Sequence, residues 1–348
     1  MKILHVCPLW FPASRDAPGG IETFLPGLLA ALEDLGCQNT LIASGDSQTV
    51  ADLVPVTPVN LYRQMEACTA WEYAYYEQHQ LWLALEHAGE FDVVHSHIGP
   101  GAYMLSAVPG LGPRVLHTQH NPVTPDLEWF VRLHPDMWLS TVSRFQACKL
   151  WDQGARRCRV IDNGIDVASF TFEPESHEQL VFMGRMEWEK GADTAVQVAR
   201  TLGWPLVLAG PIIDGQFFDD AIRPFLNDRI QYVGVLDHPQ KNELFGQAGC
   251  ALLPSRWEEP FGLVAIEAMA CGTPVVALTR GALPEVVESG MTGCLAEDEE
   301  ELSMLIPRAL ELDRSAIRAR VGDRFDLRVV AEKYLQLYRR IVQERHAA

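Results

Sequence analysis

The sequence predicts an α/β protein built from two Rossmann-like parallel-sheet domains with an interdomain cleft. Three observations carry that prediction. Short apolar runs alternate with amphipathic stretches along nearly the whole chain, Gly or Pro marks most of the changes, and the alternation breaks once. Strands alternating with helices imply crossover units and sheets covered on both faces. The length of 348 residues suits two domains at roughly 150 residues each.

In the first half the strand candidates are the apolar runs at 2–7, 38–43, 91–96, 114–119 and 138–143. Between the first two, Ile21, Phe24, Leu25, Leu28, Leu29, Leu32 and Leu35 keep one apolar face at helical spacing, and Gly36 stops that helix. Residues 163–179 lack a sustained period and carry Pro174, so a linker is expected at 166–179. It separates an N-terminal domain, 1–165, from a C-terminal domain, 180–327. In the second half the strand candidates lie at 180–184, 206–210, 230–234, 251–254 and 274–278. The last helical stretch, about 328–345, is expected to cross back and brace the first domain. The acidic run Glu297–Glu301 reads as a solvated loop before a helix.

Charge and composition exclude several functions. A formal net charge of −18 repels phosphate backbones over the surface as a whole, so nucleic acid is an improbable ligand. Anionic membranes are disfavoured likewise, and no apolar run approaches the ~18–20 residues of a spanning helix, so no stable membrane insertion is expected. Pro8 and Pro12 interrupt what would be the apolar core of a signal peptide, so the first residues read as a buried strand at the true start of the protein. The eight cysteines form no CxxC pair and no metal-ligand spacing; mostly in apolar contexts, they read as buried free thiols in a reducing cytoplasm.

The most informative stretch is EEPFGLVAIE, Glu258–Glu267. Pro260 suits a helix start, Gly262 permits close approach of a ligand, and free N–H groups of a first turn make an anion site. Glu259 precedes that helix and Glu267 lies about two turns inside it, roughly 10 Å away at 1.5 Å rise per residue. Two carboxylates flanking an anion site suit a molecule with sugar, diphosphate and ribose parts; a capped amphipathic helix is the other reading of the same residues. Arg185 and Lys190, in GRMEWEKG, follow the strand candidate at 180–184. They could neutralise a diphosphate in the same crevice, although loop cations are commonly solvated.

In the first half, Gly19 and Gly20 open the first helix, either as a loop that lets phosphate approach the backbone or as a plain flexible turn. Four histidines lie at two strand ends, His95 and His97 in HSHIG and His117 and His120 in HTQHN. His95 and His97 project to one face of a strand. No Cys or carboxylate completes a familiar zinc set, so no metal site is expected. His120 is placed to hydrogen-bond a substrate, whereas His117 reads as a core residue. The chain has no Asp-x-Asp for a metal–diphosphate complex, no GxSxG elbow and no P-loop.

Together these residues resemble the retaining glycosyltransferases of family 4, which have the GT-B fold. The resemblance runs through PGGIE at 18–22, HSHIG, HTQHN, VIDNGID at 160–166, FMGRMEWEKG, LVLAGP at 206–211, YVGVLDHPQKNELF from Tyr232, EEPFGLVAIEAMACGTPVVA and GALPEVV. It implies that Glu259 holds hydroxyls of the transferred sugar and Glu267 the ribose diol. It implies that Arg185 and Lys190 hold the diphosphate with the main-chain amides of Phe261, Gly262, Leu263 and Val264. Gly19 and Gly20 approach the phosphates from the other domain, His120 contacts the sugar, and Gly234, Val235 and Leu236 pack on the nucleobase. His97 and Asn121 are acceptor-side candidates. Gly281-Ala282 stands where many relatives have a Gly pair, which leaves that loop's shape open.

The activity implied is transfer from a nucleotide-diphospho-sugar, most commonly a uridine diphosphate sugar, with retention and without a cofactor or metal. The acceptor is a small molecule, glycan or glycolipid. Rival readings are a nucleotide-sugar epimerase or hydrolase on the same fold, and a non-catalytic sugar-nucleotide binding module. Trp71, Tyr73, Tyr75, Tyr76 and Trp82 could line an acceptor pocket, with helical core packing the plainer expectation.

Overall fold

A computed structural model describes residues 1–175 and 177–347, so position 176, inside the expected linker, lies outside the described residues. The chain divides into two units, Met1–Gly164 with the C-terminal helix Leu327–Ala347, and Ile165–Asp326. Each is built on one sheet whose strands are all parallel.

The first unit contains β1 (Lys2–Val6), β2 (Gln38–Ser44), β3 (Asp52–Thr57), β4 (Val93–Ser96), β5 (Val115–Gln119), β6 (Trp138–Thr141) and β7 (Cys158–Val160), in spatial order β3-β2-β1-β4-β5-β6-β7. The order reverses between β1 and β4, and ligands of such sheets bind beyond the carboxyl ends at that reversal. The helix Gly20–Asp34 buries Phe24, Leu25, Leu28, Leu29 and Leu32 on one face of the sheet. The C-terminal helix packs beside it, with Tyr334, Tyr338 and Ile341 fully buried in the same cluster.

The second unit contains β8 (Leu180–Met183), β9 (Leu206–Ala209), β10 (Ile230–Tyr232), β11 (Cys250–Leu253), β12 (Val275–Leu278) and β13 (Gly293–Ala296), in order β10-β9-β8-β11-β12-β13. Its reversal falls between β8 and β11. Its core joins the inward residues of β8, β9 and β12 to the helices Ala192–Leu202 and Glu301–Leu310.

Three expectations are corrected. The stretch expected as a linker at 166–179 groups with the second unit, to which its described residues are hydrogen-bonded at several points. Ile165 N donates to Phe325 O at 2.9 Å, Thr171 N to Asn242 Oδ1 at 2.8 Å, and Arg314 Nε to Glu173 O at 2.7 Å. The acidic run is not merely solvated: Glu299 accepts from Arg256 Nε at 2.7 Å and from Thr194 Oγ1 at 2.7 Å. Helical core packing fails for three aromatics, since Trp71, Tyr75 and Trp82 are 78%, 68% and 63% exposed. Tyr73 stacks on Trp10, and Tyr76 packs beside the small cluster of Leu9, Leu61 and Ala70. All eight cysteines are free, Cys68 and Cys148 exposed and the others buried. Among the described residues, no helix is long and apolar enough to cross a membrane.

Candidate active site

In the second unit the loops after β8 and β11 flank the sheet's reversal, and they carry most of the expected residues. The turn Trp188–Lys190 leads into the helix Ala192–Leu202 and brings Lys190 toward the β11 loop. Lys190 Nζ donates to Glu259 Oε1 at 2.5 Å, and Ser255 Oγ donates to the same oxygen at 3.0 Å. Two donors on one oxygen fix the carboxylate, and Oε2 has no hydrogen-bond partner among the described residues. The indole of Trp257 lies under both cations, with Lys190 Nζ 4.3 Å and the Arg185 guanidinium 5.7 Å from its ring centre. A ring face attracts cations and here gathers two that repel one another. Arg185 also donates from Nε to Glu187 Oε1 at 2.7 Å, and its side chain remains 45% exposed.

The helix Leu263–Ala270 starts at Gly262, whose φ of 101° is left-handed. It begins later than expected, with Pro260 outside it, so Glu267 lies just over one turn inside rather than two. The left-handed residue resets the backbone so that the first turn can form only beyond it. Ala265 N donates to Gly262 O at 3.0 Å, while the amides of Phe261–Val264 have no backbone acceptor among the described residues. Those amides and the helix dipole can receive an anion. Phe261 is buried edge-on against Phe325, which anchors the loop.

Glu267 is held by a lysine that sequence reasoning missed. The helix His238–Gln247, started by a capping box of Asp237 and Gln240, carries Lys241, whose Nζ donates to Glu267 Oε1 at 2.8 Å. Behind Glu259, Gly281 has a φ of 56°, and a Cβ there would lie 2.4 Å from the backbone N and O of Glu259. Ala282 N donates to Glu259 O at 2.8 Å, and Ala282 itself has an ordinary φ of −87°. The alanine at the second place of the pair therefore fits without strain. At the end of β10, Gly234 O accepts from Gly210 N at 2.8 Å; Val235 is 63% exposed, and Leu236 is half-buried.

The remaining expected residues stand at the carboxyl end of the first unit's sheet. Gly19 caps the helix that begins at Gly20. Beneath it Glu22 is buried, and loss of solvent raises its carboxyl to about 7. Asn121 has an exposed side chain, while its carbonyl accepts from Gln119 Nε2 at 2.8 Å and Gln146 Nε2 at 2.7 Å.

His97 and His120 belong to a larger group. Register pairs His5 with His95 across β1 and β4, and His97 follows two residues later on the same face. His97 Nδ1 lies 3.0 Å from His120 Nε2, and His97 Nε2 lies 3.3 Å from His5 Nδ1. His95 binds the Tyr338 hydroxyl at 2.7 Å and Thr118 Oγ1 at 2.6 Å. His117 faces the other way and bonds Ser106 Oγ at 2.8 Å. Burial lowers His5, His117 and His120 to about 3 and holds His95 and His97 well below the usual imidazole range, so all five are neutral near pH 7. His5, His95 and His97 lie close enough to share a cation, but each of their six ring nitrogens already has a hydrogen-bond partner.

The family model "Glycosyltransferase Family 4" matches residues 18–169, and "Glycosyl transferases group 1" matches residues 168–324. Glycogen synthase of Mycobacterium tuberculosis is 33% identical over 229 residues, 60% of this chain and 55% of that protein, so the matched part spans about half the length of that relative. Phosphatidyl-myo-inositol mannosyltransferase of Mycolicibacterium smegmatis is 26% identical over 97% of this chain and 93% of its own length. The Anabaena protein HepE, solved with UDP and glucose, has the same fold: TM-score 0.73 at 19% identity, over 97% of this chain and 98% of HepE.

Proposed function

Because this chain belongs to the family 4 glycosyltransferases of GT-B fold, we propose that it moves a sugar from a nucleotide-diphospho-sugar, with uridine as the base, to an acceptor hydroxyl with retention of the anomeric configuration. The observation that carries this reading is the cluster at the β8–β11 reversal. There Arg185 and Lys190 share the Trp257 ring beside Glu259 and the open amides of Phe261–Val264.

Each group then has one task. Arg185, Lys190 and the amides meet the negative charge that grows on the departing diphosphate, where preorganised donors act most strongly. Glu259 takes sugar hydroxyls through Oε2, Glu267 takes the ribose diol, and Val235 and Leu236 pack on the base. Gly19 and Gly20 approach the phosphates, His120 takes a sugar hydroxyl, and His97 and Asn121 serve the acceptor side. The C1–O bond to diphosphate breaks as C1 becomes oxocarbenium-like, the acceptor oxygen bonds C1 on the same face, and its proton passes to a diphosphate oxygen. No protein carboxylate is needed as base in that sequence. The acceptor is a small molecule, a glycan or a glycolipid; the mannosyltransferase relative favours an acceptor with a polar sugar-like head.

The test is a thermal-shift screen of nucleoside diphosphates and their sugars, followed by turnover with and without candidate acceptors. Glu259→Gln is expected to lower turnover strongly while bare UDP still binds. Wild-type turnover in Glu259→Gln would remove the assignment. Rapid donor breakdown or epimerisation without acceptor would replace transfer by hydrolysis or epimerisation, and donor binding without turnover would leave a binding module.

A further inference from the structure

The histidines of the first unit form a directional chain that ends at His120. Asn39 Nδ2 donates to the carbonyl of Leu29 at 3.3 Å, which turns Oδ1 toward His5. His5 Nε2 lies 3.3 Å from that oxygen. An amide oxygen only accepts, so His5 carries its proton on Nε2 and offers a lone pair at Nδ1. His97 Nε2, 3.3 Å from Nδ1 of His5, must then be the protonated nitrogen of its ring. Its Nδ1 in turn accepts from His120 Nε2 at 3.0 Å. Three neutral rings thus pass one orientation from Asn39 outward. His95 imposes none, because its partners Tyr338 and Thr118 are hydroxyls that can donate or accept.

We infer that Asn39, acting through His5 and His97, fixes the proton of His120 on Nε2 and so makes Nδ1 of His120 a permanent acceptor for a hydroxyl of the transferred sugar. This rests on the glycosyltransferase reading for the identity of the ligand, but not for the order of the protons. A free neutral imidazole exchanges its proton between two nitrogens and presents a donor part of the time. A ring held with its proton on Nε2 always presents the Nδ1 lone pair to the ligand. Asn39 and His5 are positioning residues in this scheme, buried 34 residues apart in sequence and without any contact to substrate. His120 Nδ1 has no hydrogen-bond partner among the described residues, consistent with an acceptor kept for a ligand.

The experiment uses the full chain labelled with 15N-histidine and two-bond 1H–15N correlation spectra near pH 7.5. His5, His97 and His120 are expected as neutral rings protonated on Nε2. Asn39→Leu is expected to mix or reverse the tautomer of His120, whereas Thr118→Val, an equally buried loss on the His95 branch, leaves it unchanged. With UDP-glucose or GDP-mannose, but not with bare UDP, the Nδ1 resonance of His120 is expected to move. Asn39→Leu should lower kcat/KM for transfer about tenfold, the scale of one hydrogen bond, with the Kd of UDP within about twofold of wild type. Wild-type His120 protonated on Nδ1, or rings of this chain that coordinate added zinc, would overturn the tautomer chain whatever the protein's activity. An ordered chain whose His120 ignores both nucleotide sugars would overturn the sugar assignment alone. Absence of any turnover, with the tautomers intact, would instead count against the glycosyltransferase reading.

Discussion

Lys241 Nζ donates to Glu267 Oε1 across 2.8 Å and ties the helix His238–Gln247 to the helix Leu263–Ala270. Both side chains are largely withdrawn from water, at 18% and 10% exposed. The pair occupies one carboxylate oxygen, and Oε2 has no hydrogen-bond partner among the described residues. Glu259 follows the same plan, with Oε1 taken by Lys190 and Ser255. Each glutamate of the candidate site is thus aimed by a lysine from another element.

Removing one partner of a mostly buried pair leaves a charge without compensation, a loss of about 3–5 kcal/mol when burial is complete. Lys241→Met is therefore expected to lower the melting temperature and to weaken UDP binding about tenfold or more, measured by calorimetry. Glu267→Gln keeps an acceptor oxygen and should lose less affinity than Glu267→Ala. Unchanged UDP affinity in both Lys241→Met and Glu267→Ala would remove Glu267 from the ribose contact.

The loop behind Glu259 makes a sharper test, because two adjacent residues differ in what they tolerate. At Gly281 a methyl group would meet the Glu259 backbone at 2.4 Å, and the φ of 56° already disfavours a side chain. Gly281→Ala is expected to cost about 1–2 kcal/mol from the left-handed backbone alone, and more from displacing Glu259. Turnover should fall with it. Ala282→Gly, at an ordinary φ of −87°, should change stability by only about 0.4–1 kcal/mol and leave turnover near wild type. Equal losses in the two variants would show that the Glu259 backbone contact is not what matters.

The elements legible in the sequence were those with continuous apolar runs, which the centre of a parallel sheet demands. The strands that escaped, β3, β7 and β13, are all at sheet edges. β3 is half-exposed and carries Pro55, β7 is 3 residues long, and β13 opens on a glycine. β3 and β7 are partly exposed and need no apolar run, so their pattern fades into that of a loop. β13 is buried, but its four residues GCLA are too short and small to stand out, whereas β10, also at an edge, kept a recognisable run. The site divides similarly. Glu259, Gly262 and Glu267 sit in one short stretch whose turn chemistry is local. Lys241, Trp257 and Asn39 act through side-chain contacts set by tertiary packing, and no spacing announces them. His5 was closer to legible, since pairing two adjacent buried strands would have placed it beside His95.

The buried histidines make stability pH-dependent. His5, His95, His97, His117 and His120 are neutral in the fold and held far below their ordinary value of 6.5 by burial. The unfolded chain binds protons that the folded chain refuses, so stability falls as pH drops below about 6.5 and continues to fall toward pH 3. Each such group contributes about 1 kcal/mol per pH unit in that window. Glu22 opposes them with one proton, because its folded carboxyl is raised to about 7 and favours the fold at lower pH. Five histidines outweigh the two raised carboxylates, Glu22 and Glu77, and the melting temperature is expected to fall steeply from pH 7 to pH 5. A flat profile by calorimetry would mean that these rings reach water or carry charge in the folded state.

The final prediction concerns the leaving group. In the proposed reaction the charge on the departing diphosphate is assigned to Arg185, Lys190 and the amides of Phe261–Val264. Losing one preorganised donor costs about 2.7–4 kcal/mol of barrier, or about a hundred- to a thousandfold in rate. Lys190→Ala is expected to fall by that much, and part of the loss will come through Glu259, whose Oε1 it holds. Trp257→Leu should fall less, since both cations remain and only their common platform is removed. If the cations do this work alone, turnover in excess EDTA will equal that of the untreated enzyme, and magnesium will not rescue Lys190→Ala. Activity abolished by EDTA and restored by one divalent metal would transfer the role to an ion. The group of His5, His95 and His97 would then be the first place to look for it, and Asn39→Leu the first variant to compare, since an ion there would have to break the hydrogen bond of His5 to Asn39.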